Sequence, residues 1–384
     1  MKPISQSVQT VPASGIRKYF DLVSQLKDVV TLGVGEPDFV TPWRIREAAM
    51  YALERGYTSY TSNYGIIELR RAISDKLAAE EKLRYDPENQ ILITVGVSEG
   101  MDLALRAILN PGDEVIVPEP CFVSYKPCTL FASGAPVEVA TTADSGWCPS
   151  IAQMESVVTE RTTAMILGFP GNPTGATMPR ETMQQIVDLA VRHDLYVIVD
   201  DIYGKLIYEG THTVLPTLKG AYERTIYLNG FSKAYAMTGW RLGYACANAE
   251  IIEAMMKIHQ YTMMCAPIMA QMAAVEAINS GDQDTAEMLA EYAQRRRVIV
   301  AGLNKLGLDC QMPGGAFYAF PSIKRTGMSS EEFAERLLMD QRVLVVPGST
   351  FGECGEGYIR CCYATSIDKI EEALARMERF LGKL

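Results

Sequence analysis

Gly230-Phe231-Ser232-Lys233 places a lysine among small residues just beyond the apolar run Thr225 to Leu228. Arg241 follows eight residues later, in Ala236-Met237-Thr238-Gly239-Trp240-Arg241-Leu242-Gly243. A lysine amine can form an imine with a carbonyl, and an arginine fork can clamp a phosphate. Any single lysine is more often a solvated surface side chain. The residues at the ends of neighbouring apolar runs give this one its weight.

Ile91 to Val95 opens into Gly96-Val97-Ser98-Glu99-Gly100. This is a small-residue turn at a helix start, and the free backbone N–H groups around Val97 and Ser98 suit a phosphate. It is neither a Walker loop nor a complete Gly-x-Gly-x-x-Gly pattern. Glu114 to Val117 leads into Pro118-Glu119-Pro120-Cys121-Phe122-Val123-Ser124-Tyr125, where an aromatic can stack on a flat ring or simply fill core. Ala164 to Phe169 leads into Gly171-Asn172-Pro173-Thr174-Gly175, residues that an ordinary turn would also use. Leu195 to Val199 runs into Asp200-Asp201-Ile202-Tyr203. A carboxylate there either caps the turn or needs a cationic or strongly donating partner, and a pyridinium nitrogen is one. Together the five run ends supply a phosphate nest, an aromatic, an Asn, an Asp and a Lys, the set that pyridoxal 5′-phosphate requires. His193, His212 and His259 lie outside these turns, so histidine triads and zinc sites are not expected, and no metal is.

Ligands of open α/β sheets sit outside the carboxyl ends of the strands, so these runs should share one sheet. From residue 90, short β-rich runs alternate with amphipathic stretches such as Glu99 to Leu109 and Arg180 to His193. The strands are apolar almost throughout, as in a sheet covered on both faces. The expected fold class is α/β: a large domain, residues 41–285, with a mostly parallel central sheet flanked by helices. A strand at Gly243 to Ala247 and a helix at Glu250 to Gln260 belong to it. From about Asp282 the pattern changes to a long charged helix through Leu306, strands at Ala316 to Phe320, Val343 to Val346 and Tyr358 to Tyr363, and helices at Ser330 to Met339 and from Ser366. This block, 286–384, reads as a smaller α+β domain. The N-terminal segment, 1–40, should join it, with a helix over Ser14 to Leu26.

At 384 residues the chain is long enough for two domains, and 48% hydrophobic with 21% charged residues is ordinary for a globular protein. A net charge of −10 disfavours nucleic acid, and the basic triplet Arg295-Arg296-Arg297 is expected to cover an exposed helical face. Nine cysteines without a Cys-x-x-Cys pair read as reduced, mostly buried thiols. Met1 to Thr10 lacks a leader pattern, and no apolar run approaches the ~18 residues of a membrane span. The expected location is the cytoplasm.

These residues make the chain resemble the class I aminotransferases of the aspartate aminotransferase superfamily, pyridoxal-phosphate-dependent enzymes of fold type I. The likeness spans nearly the whole length. It includes Gly33-Val34-Gly35-Glu36-Pro37-Asp38-Phe39, Tyr60 with Gly65 to Arg70, Asn172-Pro173-Thr174-Gly175, Asp200-x-x-Tyr203, Ser232-Lys233, Trp240-Arg241-x-Gly243, Gly315-Ala316-Phe317-Tyr318 and Arg360.

The resemblance implies that Lys233 holds the cofactor as an internal aldimine and later shuttles a proton between the substrate α-carbon and the cofactor. Asp200 would keep the pyridine nitrogen protonated, Tyr203 and Asn172 would hydrogen-bond the ring's phenolic oxygen, and Phe122 would stack on it. Val97, Ser98, Ser232 and Arg241 would hold the phosphate, joined by Tyr60 from the second subunit of a homodimer. Arg360, with Asn172 and the backbone of Gly35, would bind the substrate α-carboxylate. The implied reaction passes an L-amino acid's nitrogen to a 2-oxo acid in ping-pong fashion. The alternative is a carbon–sulfur β-lyase or related lyase on the same scaffold. A ligand-sensing regulator of this fold would carry an added DNA-binding module, for which there is no room before Ser14. Gly230 departs from the serine that many relatives carry three residues before the lysine, which leaves the phosphate cup one hydroxyl poorer or otherwise filled.

Overall fold

The computed structural model describes residues 2–11, 15 and 26–384, and the helix expected over Ser14 to Leu26 falls almost wholly outside them. A seven-stranded sheet forms the centre. Its order is Ile91–Thr94, Gly243–Cys246, Thr225–Gly230, Tyr196–Asp200, Thr162–Leu167, Glu114–Glu119 and Ala135–Ala140. Only Gly243–Cys246 runs against its neighbours. Six strands therefore share one carboxyl edge, and the seventh begins there.

Every residue of Ile91–Thr94, Glu114–Glu119 and Gly243–Cys246 is buried, because helices cover both faces. Val97–Ile108 packs Met101, Leu103, Ala104 and Leu105 against one face. Arg180–Arg192 covers the other with Met183, Ile186, Val187, Leu189 and Ala190. Each such Leu, Ile, Val or Met side chain contributes about 1.5–3 kcal/mol on burial, and the alanines less. Sequence periodicity passed over the edge strand Ala135–Ala140, which is largely exposed and carries a proline and a glutamate. It also passed over helices Trp43–Glu54, Ile67–Glu81 and Ile268–Ser280.

The C-terminal residues build a separate core. Tyr318–Ala319, Ile359–Cys362 and Val346–Pro347 form an antiparallel sheet, and Asp282–Lys305, Ser330–Gln341 and Ile367–Leu381 pack around it. In the last helix Ile370, Ala373, Met377 and Phe380 recur at helical spacing on the buried face, and the Ser366 side chain caps its start. Val30–Thr31 pairs in parallel with Val343–Leu344, which ties the N-terminal segment to this core.

The arginine triplet corrects an expectation, because only Arg297 is exposed. Arg295 is buried, donating to Asp38 at 2.7 Å and Glu291 at 3.1 Å. Arg296 is also buried, donating to the Pro313 carbonyl at 2.8 Å and to Glu209. Long apolar stems and carboxylate or carbonyl partners for the guanidinium heads make that burial tolerable, although among the described residues Arg296 Nε has none.

Candidate active site

A cavity of about 580 Å³ opens at the carboxyl edge of the central sheet. Strand polarity explains its lining. Thr94 leads to Val97 and Ser98, Glu119 to Phe122 and Tyr125, Leu167 to Asn172, Asp200 to Tyr203, and Gly230 to Ser232 and Lys233. Because Gly243–Cys246 is antiparallel, the residues before it, Thr238 and Arg241, arrive at the same edge. Gly35 and Arg360 enter from the second core. All these expected residues line one cavity; Tyr60 does not, and its ring is 79% exposed on the outer surface.

Lys233 Nζ donates to the Gly35 carbonyl at 2.6 Å and lies 5.7 Å from the Phe317 ring centroid. Burial pushes its pKa down from 10.5 to about 8; Arg360 and Arg241 add to the fall, against Cys362 and Glu36. About a tenth of the amine is thus neutral and nucleophilic at pH 7, far more than for an ordinary lysine.

Asp200 lines the same cavity. Burial lifts its carboxyl from 3.8 to about 6, although the Tyr125 hydroxyl, donating at 2.9 Å, and the Ile202 N–H, at 3.3 Å, favour the anion. The folded state therefore carries a destabilising term, absent below about pH 4 and fully present above about pH 6. Without a ligand, Asp200→Asn should stabilise the chain at pH 8 by up to about 3 kcal/mol and much less at pH 4. Urea unfolding at the two pH values checks this. An equal effect at both would remove the argument.

Arg360 sits in a fully buried strand with its guanidinium between the rings of Tyr318, 4.6 Å away, and Phe351, 4.9 Å away. Nη1 donates to Asn172 Oδ1 at 2.9 Å and Nη2 to the Gly33 carbonyl at 2.7 Å. Among the described residues its Nε has no partner. A buried cation with neutral partners only and an unused donor suits an incoming carboxylate.

Gly96 precedes the Val97–Ile108 helix with φ of +79°, and no side chain caps that start. A Cβ there would lie 2.7 Å from Arg241 Nη2. The nest and the guanidinium thus face the same space, a combination that favours a phosphate. Gly230 is explained by backbone crowding. A Cβ would come within 3.0 Å of both Gly243 Cα and the Leu242 carbonyl, and 3.1 Å of Val97 Cγ2. Gly230→Ser should destabilise the fold by about 1–3 kcal/mol, read as a lower urea midpoint. An unchanged midpoint would show that the strand ends can part.

Two contributors escaped the sequence reading as site residues. Tyr125, read as a stacking or core ring, holds Asp200. Tyr318 shares a 2.7 Å hydrogen bond with the Tyr203 hydroxyl, and its position in Gly315-Ala316-Phe317-Tyr318 was the available signal.

Comparison with known proteins finds a match between residues 27–377 and the family described as aminotransferase class I and II. An aspartate aminotransferase of Pyrococcus abyssi is 45% identical over 98% of each chain. An aromatic-amino-acid aminotransferase of Thermococcus litoralis is 43% identical over 98% of each. The solved aspartate aminotransferase of Thermus thermophilus with maleate superimposes with a TM-score of 0.94 at 39% identity, covering 99% of this chain and 100% of that one.

Proposed function

The chain belongs to the class I and II aminotransferases, pyridoxal-phosphate-dependent enzymes that move an amino group from an amino acid to a 2-oxo acid, and from that premise we propose that the cavity at the sheet edge is its active site. One observation carries the reading. A half-buried lysine with a depressed pKa shares a cavity with a buried carboxylate, an uncapped helix start and two arginines.

The residues present fit the cofactor. Asp200 is a buried carboxylate whose direct hydrogen-bond partners, Tyr125 and the Ile202 N–H, are neutral, so a protonated ring nitrogen would complete it. Val97, Ser98, Ser232 and Arg241 would hold the phosphate, Phe122 would stack on the ring, and Tyr203 and Asn172 would bond its phenolic oxygen. Bound there, pyridoxal phosphate supplies a carbonyl for amine exchange and an electron sink for the carbanion left by deprotonation.

The chain's own residues then have distinct tasks. Lys233 would be the attachment point and, once released, the base that takes the proton from the substrate α-carbon and delivers it to the carbon on the far side of the amino nitrogen. Gly35 aims that amine through its carbonyl. Arg360 binds the α-carboxylate, with Asn172 fixing the guanidinium and the backbone of Gly35 close by. Tyr318 orients the Tyr203 hydroxyl. Phe122, Tyr125 and Tyr318 bound the space in which deprotonation occurs and restrict water.

Further readings belong to the same proposal. The enzyme would be a homodimer, supported by the exposed apolar side chains of Val40, Trp43, Tyr57, Tyr261 and Met264, with Tyr60 reaching the neighbouring site. The large domain would run over 41–285, and the small one would combine 1–40 with 286–384. We place the enzyme in the cytoplasm, in keeping with nine unbridged cysteines; among the described residues no helix is long and apolar enough to cross a membrane.

The test is a panel of L-amino acids offered to the loaded enzyme, with 2-oxoglutarate and pyruvate as acceptors, while the cofactor's absorbance is followed. At least one donor should convert it to the amine form, and an acceptor should restore it. Failure of every donor would sink the reading. Release of pyruvate and ammonia from a sulfur amino acid without an acceptor would replace it with a lyase.

A further inference from the structure

Asp201, next to Asp200, points to the other side of the strand and has a counter-ion of its own. His212 Nε2 lies 2.6 Å from Asp201 Oδ1, and Asp201 is 2% exposed. The second oxygen accepts from the Tyr227 hydroxyl at 2.7 Å. That hydroxyl accepts from Asn229 Nδ2 at 2.8 Å, and Asn229 Oδ1 accepts from the Gly230 N–H at 2.6 Å. An unbroken series of hydrogen bonds therefore runs from the loop carrying His212 to the backbone three residues before Lys233.

Carboxylates on consecutive buried residues oppose each other's ionisation. Burial is the main force raising the Asp200 pKa, and the Asp201 charge adds to it, while Tyr125, the Ile202 N–H and Lys233 act the other way. Burial also works against a charge on His212, but Asp201 and then Glu81 outweigh it and raise its pKa. Glu80, Lys76 and Lys205 border the same small cavity. The two lysines are engaged with Glu80 and Asp282.

We propose that His212 is a positioning residue of the active site. Protonated and paired with Asp201, it neutralises that neighbour so that Asp200 alone remains an anion facing the cofactor, and through Tyr227 and Asn229 the pair fixes the backbone that leads into Lys233. The charge on His212 is present below its raised pKa and is lost as pH rises through it, so its support for Asp200 fades on the alkaline side. The inference rests on the assignment of Asp200 to the ring nitrogen.

His212→Gln tests it, because glutamine can still donate to Asp201 but carries no charge. The readout is the infrared carboxyl band of Asp200 in cofactor-free enzyme, identified by its disappearance in Asp200→Asn. His212→Gln should raise the titration midpoint by about one pH unit and weaken pyridoxal phosphate binding about tenfold at the pH where the shift is felt. Combining it with Asp201→Asn should return the midpoint to the wild-type value. An unmoved midpoint in His212→Gln, or one still raised in the double variant, overturns the proposal. Should His212→Gln fail to fold, His212→Asn takes its place, with the same rise expected and the same outcomes overturning the proposal. If Asp200→Asn binds pyridoxal phosphate as tightly as wild type, the ring assignment is what fails, and the titration still reports on His212 separately.

Discussion

Lys233→Ala is expected to end covalent capture of pyridoxal phosphate and to lower turnover by about four orders of magnitude or more. Lys233 is the one lysine among the described residues lining the cavity, so no neighbouring amine can take over attachment and proton transfer together. Arg241 and the start of the Val97–Ile108 helix remain, and the variant should still bind the cofactor reversibly through its phosphate. Borohydride reduction followed by peptide mass mapping makes the check. Wild type should carry the cofactor's mass on the peptide containing Lys233, and the variant should carry none. Label retained elsewhere would move the attachment point.

Arg360→Ala should lower kcat/KM for carboxylate donors by roughly two to three orders of magnitude, the range for removing one partner of a buried, hydrogen-bonded charge contact. Cofactor affinity should stay close to wild type, because Arg360 enters from the C-terminal core while the proposed phosphate contacts come from the central sheet. Arg360→Lys should recover little. A single ammonium cannot keep the bonds to Asn172 and Gly33 and also grip a carboxylate. Equilibrium dialysis with pyridoxal phosphate, run beside steady-state kinetics, separates the cases. A fall in cofactor occupancy that matches the fall in activity would place Arg360 at the ring.

The strand-end residues were legible because chemistry at those positions is locally anomalous. Asp200 closes an apolar run and Lys233 follows one, and neither composition nor core packing calls for a charge there. What could not be read was the partnership between distant segments. Tyr125 has the composition of core and becomes a site residue only because its strand and that of Asp200 reach the same edge of one sheet. The carbonyl that holds Arg360 belongs to Gly33, 327 residues away, and nothing in the Gly33-Val34-Gly35 run announces that partner. Arg295 and Arg296 were misjudged for the same reason, since beside the local Glu291 their partners Asp38, Glu209 and Pro313 come from three separate parts of the chain. Gly230 stood out as a departure, but its cause, a backbone 3.0 Å away, is a fact of strand spacing.

The single reversed strand has a mechanical consequence. Gly230 and Gly243 are register partners across the ladder, and the Phe231 N–H donates to the Leu242 carbonyl at 3.3 Å, so residues 231–242 form a closed excursion. Lys233 stands near one foot and Arg241 near the other. Displacements elsewhere in the molecule can carry this excursion bodily, but they cannot easily stretch it, and the span between amine and guanidinium behaves as a fixed gauge length. A change of loop length should be poorly tolerated between these two glycines, where one added residue would set the attachment point and the anion grip out of step.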